Sequence, residues 1–132
     1  MIAMLWTWDS SRDAYVQLRL DSRTHTAETP FVLHQWGGPD DEGHSSGVEC
    51  YWLDEDEAAV HSLQHSRGSD CDGPYEHNTE HVCPVADLAA GCHASQLCDD
   101  GIGTTAIPEI TLPKWSLASE SQRDHFAEAM GY

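Results

Sequence analysis

Val48-Glu49-Cys50-Tyr51-Trp52-Leu53-Asp54-Glu55-Asp56-Glu57-Ala58-Ala59-Val60-His61-Ser62-Leu63-Gln64-His65-Ser66-Arg67-Gly68 decides the fold, because its two halves read differently. Residues 48–53 are apolar and aromatic, which is strand composition. From Asp54 onward the signals change. Asp54 with Glu57 three residues on makes a capping-box pattern, and acids in a first turn suit the helix dipole. Ala59, Val60 and Leu63 then supply a helical apolar stripe, and Gly68 supplies a stop. The stretch predicts a strand followed by a helix.

Upstream the chain reads as sheet. Met1 to Trp8 is apolar and aromatic, and Asp9-Ser10-Ser11-Arg12-Asp13 is a turn. Ala14 to Leu20 alternates, with Val16, Leu18 and Leu20 on one face and Tyr15, Gln17 and Arg19 on the other. Pro30 opens a third strand, Phe31 to Trp36, which Gly37-Gly38-Pro39 ends. Residues 37–47 read as an acidic, glycine-rich loop from which 48–53 returns antiparallel. Downstream, Pro84 to Ala90 reads as a short helix and Ile107 to Leu112 as a strand. Ser119 to Met130 reads as a helix capped by Ser119 and Gln122, with Phe126 and Met130 facing inward. The expected class is α+β: one domain over 1–132, mainly an antiparallel sheet with two or three helices packed on one face.

Charge narrows the function. The 132 residues hold 23 acids against six bases, a formal net of -17, and Lys114 is the sole lysine. Between Asp40 and Glu109 Arg67 is the only basic residue. Such a field repels nucleic acid and anionic membrane and attracts a basic protein surface. Duplex DNA carries a charge per roughly 1.7 Å, so this net charge matches about 29 Å of duplex. Acidity also serves solubility or salt tolerance, although cysteines, histidines and tryptophans in these numbers are not what salt adaptation calls for. No apolar run approaches the roughly 20 residues of a membrane span, and the N-terminus lacks a basic signal-peptide region. The expected location is the cytoplasm. An odd number of cysteines there points to thiols or a metal site rather than disulfides.

Residues 71–83 hold the densest set of ligand types: Cys71, His77, His81 and Cys83. Two thiolates and two imidazoles could satisfy tetrahedral zinc, so structural zinc is a candidate cofactor, the other reading being that Cys71 and Cys83 are neighbouring buried thiols or an adventitious disulfide. The spacing is not that of a zinc finger, and Cys92, His93 and Cys98 are further candidates. His61 and His65, four apart on the predicted helix, read as a solvated polar face. Gly101-Ile102-Gly103 lacks both a third glycine and a P-loop lysine, so nucleotide binding is not expected. No nucleophile elbow or kinase signature is present, and the chain offers no enzymatic mechanism. Trp6 and Trp52 read as core, whereas Trp36 and Trp115 sit where an aromatic anchor for a partner belongs.

In size, charge and the acidic runs Asp40-Asp41-Glu42 and Asp54-Glu55-Asp56-Glu57, the chain resembles the small acidic inhibitors of phages and mobile elements. These are DNA mimics that block restriction enzymes or CRISPR effectors. Ser69-Asp70-Cys71-Asp72-Gly73 with the later Cys83 also looks like segments of phage proteins. Such inhibitors share no common fold, so the resemblance carries no residue role across. It implies an anti-defence inhibitor that fills a basic DNA-binding groove, with the two acidic runs and Trp36 as partner contacts. The alternative is a zinc-stabilised accessory or structural protein whose acidity serves solubility.

Overall fold

The computed structural model describes residues 1–40, 43–88, 102–104 and 112–118. They form two antiparallel sheets. The short sheet has the order β1 (Ile2–Asp9), β2 (Ala14–Asp21), β7 (Ile102–Thr104). The long sheet runs β3 (Phe31–Asp40), β4 (Gly43–Asp54), β5 (Ala59–Asp70), β6 (Gly73–Pro84), β8 (Ser116–Leu117). This overturns the α+β expectation, because among the described residues the only helix is a 3-10 turn at Val85–Asp87. The reading of Ile107 to Leu112 falls almost wholly outside the described residues, and that of Ser119 to Met130 lies entirely outside them. Among the described residues no helix is long and apolar enough to cross a membrane.

The expected helix is β5, a twelve-residue strand paired along its length with β4 and β6. The capping signal was real but belongs to a hairpin. Asp54 Oδ1 accepts the Glu57 N–H at 3.0 Å, the bond an N-cap would make. Ala58 then takes φ +48, with its N–H on the Glu55 carbonyl, and the chain reverses so that Ala59 faces Asp54. The β1–β2 turn repeats the device. Ser11 N–H donates to Asp9 Oδ1 at 2.9 Å and Asp13 sits at φ +51. Aspartates thus end β1, β2, β3, β4 and β5, so part of the acidity is turn chemistry.

The two sheets bury one core. Ala3, Leu5, Val16, Leu18 and Leu20 of the short sheet meet Phe31, Leu33, Tyr51, Leu53 and Val60 of the long one, with Ile102 beside them. Each fully buried leucine or valine contributes about 1.5–3 kcal/mol before chain entropy is charged against it. Thr7 and Tyr51 also bridge the sheets through their hydroxyls at 2.9 Å. Val48, Cys50, Trp52 and Leu63 form a second buried cluster on the other face of the long sheet, against Ala27. Strands of eight residues cannot cover strands of twelve, and at about 3.3 Å per residue the long sheet extends some 13 Å further.

Candidate functional site

The uncovered end of the long sheet carries a cleft, and the sequence reaches it through a bulge. Pairing of β3 with β4 runs Phe31 to Tyr51 and Val32 to Cys50, then resumes with His34 opposite Glu49. Leu33 is the extra residue. Without it His34 and Trp36 would share the face of Val32, but the bulge turns them to the face of Phe31 and the core. Two cross-strand rows then line up on that face: His34, Glu49, Gln64, Thr79 and, one step further out, Trp36, Gly47, Ser66, His77. All of these but Gly47, together with His65 and with Ser10 of the β1–β2 turn, line a cleft of about 540 Å³. The Trp36 indole stacks on His34 at 5.3 Å and leans over Gly47, where a β-carbon would lie 2.1 Å from the ring. Glu49 is held by the Tyr51 hydroxyl, which donates to its Oε1 at 2.7 Å.

The opposite face of the same strands holds a buried polar pair. His61 is 1 % exposed and Glu80 fully buried, and His61 Nδ1 lies 2.9 Å from Glu80 Oε1. The other ring nitrogen, Nε2, lies 3.0 Å from Glu57 Oε2 at the β4–β5 turn. Burial disfavours a charged imidazole, but the hydrogen bonds that Glu80 and Glu57 accept from the ring and the charges of these carboxylates outweigh it, so the His61 pKa is raised. Trp52, opposite His61 across the strands, stacks on it at 5.0 Å and 5°, the arrangement of a cation on an aromatic face. Four residues along, His65 bonds Asn78 in the facing pair.

Asp54, Glu57 and His61 bring one ligand atom each within 4.8 Å of one another and could hold a metal ion. The cysteine–histidine quartet is not assembled. Cys71 is exposed at the β5–β6 turn, whereas Cys83 is buried at the far end of β6, roughly 33 Å along the strand. His77 and His81 share a face but stand about 13 Å apart. His61 and His65, read as solvated, are both buried, and the same 13 Å prevents a shared ion. Burial pushes the thiols of Cys50 and Cys83 up, which keeps them protonated. Cys92 and Cys98, with His93, lie outside the described residues.

The acids singled out by the sequence part company. Asp54, Glu55, Asp56 and Glu57 stand together at the β4–β5 turn, where Glu55 meets the N-terminal amine at 3.6 Å and the Ser22 hydroxyl at 3.1 Å. Asp40 ends β3 at the other end of the sheet, with Asp41 and Glu42 outside the described residues. Trp36 is exposed, as an anchor must be, but it faces the cleft. Sequence reasoning missed the cleft and the His61–Glu80 pair. The signal available for the pair was the alternation His61, Leu63, His65, which is a strand pattern once histidine is allowed inside.

No protein-family model, no curated protein and no solved structure matches the chain.

Proposed function

We propose that the protein is a non-catalytic inhibitor that fills the basic DNA-binding groove of a CRISPR or restriction effector, its acidic sheet ends standing in for phosphates. The observation that carries this reading is a spacing. The acidic turn at 54–57 and the exposed Asp72 lie at opposite ends of β5, roughly 36–40 Å apart, with Glu76 opposite Arg67 about 10 Å short of the far end. One turn of duplex spans about 34–36 Å, so the two ends fall near phosphates one turn apart on a single side of DNA. Pairing inside the chain does not relieve the field, because Arg12 and Arg23 are engaged by Asp9 and Asp21 and the sum stays at -17.

A lysate bound to DNA-cellulose tests it. The protein should displace one DNA-binding effector at a concentration where polyglutamate displaces none. The double variant Glu55→Gln with Asp56→Asn should associate at least about threefold more slowly at low salt, because charges at the edge of an interface act on the on-rate. Displacement no better than polyglutamate rejects the reading.

The Asp54–Glu57–His61 group adds a metal to this proposal. One imidazole with two carboxylates suits zinc or manganese, and Glu80 on Nδ1 is the outer carboxylate that fixes a ligating histidine. Zinc chloride at a hundredfold excess over its Kd should stabilise the fold by about 2.7 kcal/mol, read as a rise in melting temperature that EDTA reverses. The same addition should leave Glu57→Gln with Asp54→Asn unchanged. Equal melting with and without zinc or manganese removes the metal.

A further inference from the structure

We propose that the cleft on the core-side face of β3–β6 binds a neutral saccharide about two rings long. Its floor crosses four strands, which at 4.7–4.9 Å each makes it about 14 Å wide, and it is two cross-strand rows deep, about 7 Å. A volume of about 540 Å³ falls within the range of small-ligand sites, about 300–1,000 Å³. Aromatic pairs stand at both edges: His34 on Trp36 at 5.3 Å, and Tyr75 on His77 at 5.5 Å. An aromatic face is the surface on which the C–H side of a sugar ring packs, since it is apolar and carries partial negative charge.

Between the stacks the floor has the chemistry of a hydroxyl reader. Glu49 accepts, Gln64 donates and accepts, and Thr79 does both, in one row across adjacent strands. Tyr51 clamps Glu49 from behind, so the carboxylate is oriented before a ligand arrives. Charge then selects among sugars. Among the described residues no lysine or arginine lines the cleft, Glu49 lies within it, and the chain carries -17, so phosphorylated, sulfated and uronic ligands are repelled. A lone nucleobase would stack on Trp36 but leave the far aromatic pair and Thr79 unused. A two-ring saccharide reaches both edges.

Electrophoresis through gels cast with hydroxyethyl cellulose, galactomannan or glycogen, followed by calorimetry with the matching disaccharide, tests this. At least one polysaccharide should retard the protein. Trp36→Ala and Gln64→Ala should each weaken binding about tenfold, and Trp36→Tyr should keep most of it, as expected when an aromatic side chain anchors a ligand. Asp87→Asn, in the 3-10 turn beyond the far end of β6, should bind as the parent does. Gln64 is exposed, so its variant decides the matter even if Trp36→Ala fails to fold. Retardation by none of the three, affinity unchanged in Gln64→Ala, or a Trp36-dependent preference for adenosine over every disaccharide would each overturn the proposal. None of these outcomes bears on binding at the acidic turn.

Discussion

Glu80→Ala should destabilise the protein by about 3–5 kcal/mol, the usual cost of removing one partner from a buried ion pair. Glu80 has no exposed surface, and its Oε1 is the partner of His61 Nδ1. Without it the buried imidazole keeps Glu57 on one side and loses its acceptor on the other. Glu80→Gln, which retains an oxygen acceptor, should cost less. The pair also sets a pH dependence. His61 has a raised pKa in the folded state, so its contribution is complete below the ordinary value near 6.5 and is lost as pH rises through the shifted one. Urea midpoints should therefore fall between pH 6 and pH 9 in the parent and vary less in Glu80→Ala. Asp9 works in the opposite direction. Its burial raises the pKa, but bonds from Ser11 and Arg12 more than offset this, so its contribution holds above about pH 4 and fades as pH falls. A loss below about 1 kcal/mol in Glu80→Ala would mean that the pair is not buried as described.

Gly47→Ala should cost about 1–3 kcal/mol, the range for forcing a methyl group into a packed site. A β-carbon there would stand 2.1 and 2.4 Å from the Trp36 ring and 2.6 Å from the His65 carbonyl oxygen, all far inside contact distance. The indole can swing away, but the carbonyl belongs to the backbone of β5. Adding Trp36→Ala should therefore recover part of the loss and not the whole, a coupling that a double-mutant cycle measures. For a chain of this length the single change corresponds to a fall in melting temperature of roughly 3–15 °C. Gly47→Ala melting with the parent would show that the indole does not lie over β4, and would take the platform from the cleft.

The first hairpin was legible in the sequence because its information is local. Val16, Leu18 and Leu20 alternate with Tyr15, Gln17 and Arg19, and all three apolar residues are fully buried. Trp6 and Trp52 were legible as core for the same reason, and both are buried. The third and fourth strands were recognised as an antiparallel pair but cut short. Residues 37–47 read as loop on their glycines and proline, and in the structure most of them pair across β3 and β4.

By itself the sequence determined the charge, the strand pattern of β1, β2 and the 48–53 half of β4, and the turn at Asp9–Asp13. Only the tertiary structure decided the conformation beyond Asp54, because an aspartate accepting a backbone N–H three residues on serves a helix cap and a hairpin turn alike. Ala59, Val60 and Leu63 fit a helical stripe as long as His61 and His65 are counted as polar. Those histidines can be buried only when Glu80 and Asn78 of β6 lie beside them, and nothing within residues 54–68 reports a partner 13 to 19 positions away. The face on which His34 and Trp36 stand was equally out of reach of the sequence. It is set by the bulge at Leu33, and a bulge exists only in the pairing of one strand with another.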